Sequence, residues 1–134
     1  MPRLIEFKDM TPRAKAVVEE IAKRRNGDPA DINNVWKALA RHPAVMERFA
    51  EEMKVAFAPG KLDPLTKELI YVAVSVVNGC SYCVHSHTAA ARAKGMTPEM
   101  HGELLSVIAM ASQTNALATA LGVEADKAFK AKAG

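Results

Sequence analysis

A chain of 134 residues, 49% hydrophobic but only 5% aromatic, has the length of one ordinary domain. Its core is expected to be aliphatic side chains between closely packed helices, not a β-sandwich. The net charge is +3. Apart from Lys23-Arg24-Arg25 and the tail lysines Lys127, Lys130 and Lys132, the basic residues are scattered, which argues against a nucleic-acid partner. Met1 to Glu6 has no apolar stretch of signal-peptide length, and the longest apolar run, Leu69 to Val77, is too short to span a bilayer. The expectation is a cytoplasmic protein with no membrane partner.

Helix starts are written in one form. Thr11-Pro12, Asp63-Pro64 and Thr97-Pro98 put a side-chain acceptor at the cap and proline at the first helical position, and His42-Pro43 is a weaker version. The first predicted helix, Pro12 to Arg25, turns Ala14, Val17, Val18, Ile21 and Ala22 to one side and stops at Asn26-Gly27. A short helix from about Asp31 to Ala40 should bury Ile32, Val35, Trp36 and Leu39. The next, Pro43 to Phe57, places Val45, Phe49, Met53, Ala56 and Phe57 inward against Glu47, Arg48, Glu51, Glu52 and Lys54 outward. These apolar stripes read as core, and none of their residues reads as catalytic.

Leu69 to Val77 alternates β-branched residues as a strand would. The Asp63-Pro64 start lies one turn earlier, however, and no other segment supplies partner strands, so a helix from Pro64 to Val77 is predicted. Being apolar all round, it is expected to be buried at a subunit interface as well as in the core. Asn78-Gly79 breaks the run. A helix then opens near Cys80 and ends at Lys94-Gly95, and another starts at Thr97-Pro98-Glu99 and continues to Gly122, with a kink expected near Ser112 to Asn115. Val123 to Gly134 is an Ala/Lys-rich end expected to fray.

The chemistry gathers between Asp63 and Arg92, which hold both cysteines, two of the four histidines and Glu68. At about 100° per residue, Cys80, Cys83 and His87 fall within roughly 60° of one another, while His85 points away. A disulfide across Cys80-Ser81-Tyr82-Cys83 closes too small a loop to serve as a staple, so the spacing asks for redox chemistry or metal. At a helix start, Cys80 is favoured as thiolate. His87, one turn beyond Cys83, can relay that thiol's proton. Glu68, on the apolar helix, needs a partner, and His87 is the candidate. Cys80, Cys83, His87 and Glu68 could instead ligate zinc, giving a non-enzymatic zinc-binding or redox-sensing module. His85 and His101 read as exposed, and Tyr82 as packing or as a hydrogen-bond donor to substrate or sulfur.

Glu68, eleven residues, Cys80-Ser81-Tyr82-Cys83, His87 four residues on, a small-residue helix and the Gly95-Met96-Thr97-Pro98-Glu99 turn together resemble the AhpD-like branch of the carboxymuconolactone decarboxylase family. The resemblance covers about residues 62–122 and, more loosely, the helices before them. It implies a single all-α domain over residues 1–134, a homo-oligomer (trimer or hexamer), and a cofactor-free thiol peroxidase or disulfide reductase that acts on a small-molecule hydroperoxide. Electrons would come from a dithiol such as a lipoyl or thioredoxin-like protein. By the same resemblance Glu68 and His87 form a proton relay, Cys83 is the peroxide-reactive thiol and Cys80 resolves the sulfenic acid. The helix-start reading instead makes Cys80 the more acidic thiol, and the sequence leaves the two accounts open. Tyr82 stands where well-characterised relatives have histidine, and tyrosine is a poor base at neutral pH.

Overall fold

The computed structural model describes residues 3–129. Among these the chain is all-α and without strands: α1 (Pro12–Arg25), α2 (Asn34–Leu39), α3 (Pro43–Phe57), α4 (Pro64–Val77), α5 (Ser81–Ala93) and α6 (Pro98–Ala120), with 3-10 turns at Phe7–Asp9, Pro29–Asp31 and Lys127–Phe129. Lys130, Lys132 and the rest of the tail expected to fray lie outside the described residues, as do Met1 and Pro2. No helix among the described residues is long and apolar enough to cross a membrane. The helix starts form as their caps dictate. Thr11, Asp63 and Thr97 lie in extended backbone and accept the N–H of Ala14, Thr66 and Met100 at 3.3, 3.0 and 3.1 Å, with proline next in each case. His42 supplies no side-chain cap.

By its contacts the chain divides into two compact units, Met1–Ala58 and Pro59–Gly134. In the first, α1 and α2 pack on α3 around Ala14, Val18, Ile21, Trp36, Met46 and Ala50, all buried, and the rings of Trp36 and Phe49 meet at 5.2 Å between centroids. Two expectations are corrected here. The helix expected from Asp31 begins at Asn34, because Ile32 and Asn33 take extended backbone that turns Ile32 into the core. The inward stripe of α3 starts at Met46, fully buried, and not at Val45, which is 45% exposed. Ala56 is exposed too. In this rotation Met46, Phe49, Ala50, Met53 and Phe57 follow helical spacing, and Glu47 comes beside α1, where it accepts two hydrogen bonds from Arg13.

In the second unit α5 and α6 both pack on α4. The stretch that alternates like a strand is helical throughout. Its β-branched residues divide between inside and outside: Val72 is buried with Glu68 and Ser75, whereas Ile70, Val74 and Val77 are exposed. α6 is more one-sided still. Ile108 is its buried residue, while Val107, Met110 and Leu117 are more than half exposed. α6 runs as one unbroken helix through Ser112 to Asn115, where a kink was expected. Thr114 bonds back to the Met110 carbonyl at 3.0 Å, which takes its hydroxyl into the helix.

Candidate functional site

The connection between α4 and α5 is two residues and a cysteine, and each has an assigned part. After Asn78, Gly79 adopts φ +68, a left-handed conformation that glycine takes without penalty. That lets the Gly79 N–H reach Val76 O at 3.1 Å and the Cys80 N–H reach Ser75 O at 2.9 Å, the paired bonds that close a helix C-terminus. Ser75 is held in turn, its hydroxyl donating to Tyr71 O at 2.7 Å. Cys80 therefore ends α4 and also caps α5, because its Sγ accepts the N–H of Cys83 at 3.3 Å. The sequence expectation put Cys80 within the helix start; the structure puts it at the cap itself, where the sulfur does the work of a serine or aspartate oxygen.

Both cysteines are free thiols, and their environments drive them apart. The Cys80 thiol is held below its ordinary value by a hydrogen bond from Cys83, aided by the Cys83 backbone N–H. Cys83 is pushed up to about 11, first by that same hydrogen bond, which uses its proton, and then by burial and the neighbouring Cys80 charge. Of the two thiols, Cys80 is therefore the one favoured as thiolate, with the Cys83 S–H donating to it.

Behind the cysteines lies a buried polar centre. Glu68, 3% exposed on α4, places Oε2 at 2.7 Å from Nδ1 of His87. The pairing expected from sequence is thus present. Two residues absent from the sequence expectation complete the centre. Lys94, at the C-cap of α5, brings Nζ to 2.5 Å from the other carboxylate oxygen, Oε1. Tyr71 stacks on His87, with ring centroids 3.5 Å apart and planes 18° from parallel. Burial raises the Tyr71 hydroxyl above its ordinary value, with smaller contributions from negative charge on Cys83, Cys80 and Glu68. Helical arithmetic could have found both: Tyr71 follows Glu68 by three residues, and Lys94 follows His87 by seven, which returns it to the same face.

Of the remaining candidates, Tyr82 is 42% exposed and His85 is exposed, whereas His101 is half-buried rather than exposed. Among the described residues no three His, Cys, Asp or Glu side chains converge to hold a metal ion. Glu68, which the zinc alternative needs, has its two oxygens turned to His87 and Lys94.

Residues 43–126 match the Carboxymuconolactone decarboxylase family. The whole chain is also similar to the crystal structure of the alkylhydroperoxidase AhpD core from Rhodospirillum rubrum, with 49% identity and a TM-score of 0.91 over 97% of this chain and 96% of that one. The chain belongs to the carboxymuconolactone decarboxylase family, on its AhpD-like branch. Similar too are alkyl hydroperoxide reductase AhpD of Solibacter usitatus, 45% identical over 71% of this chain and 54% of that protein, and "Uncharacterized protein 4 in cox locus" of Paracoccus denitrificans, 41% identical over 73% of each. The chain thus spans about half the length of the Solibacter reductase.

Proposed function

We propose that this chain is a thiol-dependent peroxidase that reduces organic hydroperoxides by cycling Cys80 and Cys83 between dithiol and disulfide. The observation that carries this reading is the Glu68–His87 pair at 2.7 Å, its imidazole one helical turn beyond Cys83 on the helix that Cys80 caps. The names of the Rhodospirillum and Solibacter relatives support the same chemistry.

The steps follow from the charge distribution. The Cys80 thiolate attacks the terminal peroxide oxygen; an S–O bond forms, the O–O bond breaks, and the departing alkoxide takes a proton to leave as alcohol. Cys83 must then lose its proton to attack the sulfenic sulfur. With Glu68 ionised, the Nδ1–H of His87 donates to it and Nε2 is the nitrogen that accepts the Cys83 proton. The new S–S bond expels hydroxide, which leaves as water on protonation. A dithiol, such as that of a lipoyl or thioredoxin-like protein, restores both thiols by exchange and is itself oxidised to the disulfide. This assigns first attack to Cys80, against the order implied by the family resemblance, because the Cys83 N–H and S–H both favour charge on the Cys80 sulfur. A reducing cytoplasm suits thiols that must be regenerated.

The reading includes a homo-oligomer. From Leu104 to Leu121 there is no charged side chain, and Val107, Met110 and Leu117 stand exposed. A second copy of the same helix meets such a face without like-charge repulsion, and burying it removes apolar surface from water.

Peroxide turnover with dihydrolipoamide, comparing the native chain with Cys80→Ser, Cys83→Ser and Glu68→Gln, tests the proposal. Each cysteine change should abolish turnover. A native protein that neither consumes hydroperoxide nor forms the internal disulfide sinks the reading.

A further inference from the structure

We infer that Lys94 is a positioning residue of the Glu68–His87 relay, its ammonium holding one Glu68 oxygen so that the other is aimed at His87. The inference rests on the relay reading given above and deepens it.

A carboxylate as buried as Glu68 is costly unless each oxygen is engaged by a charge or a good donor. Here the two oxygens divide the task, with Oε2 on His87 and Oε1 on Lys94. The lysine is placed for this by the way α5 ends. Its backbone N–H is taken by the carbonyls of Ala90 and Ala91. Gly95 at φ +101 then reverses the chain so that the Met96 N–H reaches Ala91 O at 3.0 Å. Side chains at a helix end lean back toward its start, which carries Nζ over the last turns to the Glu68 carboxylate. About a third of the Lys94 side chain remains exposed, so the cation spans from solvent to a buried anion.

Lys94 is the cation on one Glu68 oxygen and His87 the partner on the other. Removing a positive charge from beside the pair favours positive charge on the partner that remains, so loss of the ammonium should make His87 easier to protonate and a poorer acceptor for the Cys83 proton. Other titratable groups bear on this centre. Tyr71 of α4 stacks on His87, and Cys80 and Cys83 lie at the start of α5. α6, packed on α4, carries Glu99, His101 and Glu103.

Lys94→Met, Lys94→Gln and Lys94→Arg test this, with Glu68→Gln alongside, read by 15N NMR titration of the His87 ring and by the pH profile of kcat/KM for an organic hydroperoxide. Lys94→Met and Lys94→Gln should each move the His87 titration and the acid limb of the profile up by about one pH unit, so that turnover at the foot of that limb falls about tenfold. Lys94→Arg should restore both. Native-like curves in Lys94→Met or in Lys94→Gln, beside an impaired Glu68→Gln, overturn the role of Lys94 alone. If Glu68→Gln turns over as the native chain does, the relay falls and this inference with it. Because the lysine is partly exposed and two neutral replacements are used, loss of folding in one leaves the other to decide.

Discussion

Glu68 of α4 and His87 of α5 meet through Oε2 and Nδ1 at 2.7 Å, nineteen positions apart in sequence. The hydrogen bond fixes which imidazole nitrogen is available for proton transfer. Replacing Glu68 by Gln keeps the shape and removes the charge. Turnover should fall about 100-fold, the lower range for loss of general-base assistance, while circular dichroism keeps its helical signature. Unchanged kinetics would remove the relay.

Cys80 should react before Cys83 with a limiting alkylating agent. Because Cys80 is held below the ordinary thiol value and Cys83 pushed to about 11, Cys80 alkylation should begin at lower pH than that of a free cysteine, with Cys83 unlabelled at neutral pH. Peptide mapping by mass spectrometry across pH reads this out. Cys83→Ala, which removes the S–H donor, should move the Cys80 profile back toward alkaline pH, whereas Cys83→Ser keeps a donor and should move it less. Preferential labelling of Cys83 would restore the order implied by the family.

Gly79 tests the joint. A Cβ there meets nothing within 4 Å, so Gly79→Ala strains only the left-handed backbone, at about 1–2 kcal/mol. Denaturant midpoints should record that loss. Turnover should fall as well, since the turn sets both hydrogen bonds of Cys80. A fully active Gly79→Ala protein would mean that the cap geometry is dispensable.

The apolar face of α6 should be the seat of assembly. Met110→Glu places a charge on a surface where Met110 is 63% exposed, harmless in a monomer but costly in an interface of identical copies. Light scattering should show the native chain as an oligomer and the variant dissociated. A native monomer contradicts the prediction.

Much of this was legible in the residues because helix ends are local. Thr11, Asp63 and Thr97 each cap a helix through a side chain only three residues from its donor, so sequence alone locates them. The Asp63 cap likewise decided between helix and strand for Leu69 to Val77. The Glu68–His87 pair was legible because an apolar helix leaves a carboxylate few options. Less local features were harder. The rotation of α3 that buries Met46 rather than Val45 follows from its packing on α1 and α2, which the residues of α3 do not show by themselves. Lys94 shares the His87 face by helical spacing, but at the end of its helix it gave no sign of a buried partner, and only the packing of α5 on α4 brings its Nζ to Glu68. Cys80 as a cap depends on sulfur standing in for the oxygen that capping patterns usually supply.

The most direct measurement counts thiols. Reduced protein is mixed with one equivalent of an organic hydroperoxide, then quenched and analysed by thiol titration and intact mass. Both thiols of each chain should disappear together, the mass falling by two hydrogens as Cys80 and Cys83 join, with one alcohol formed per chain. Cys80→Ser should consume no peroxide, and Cys83→Ala should stop at a Cys80 sulfenic acid. A native chain that keeps both thiols in the presence of hydroperoxide contradicts the account.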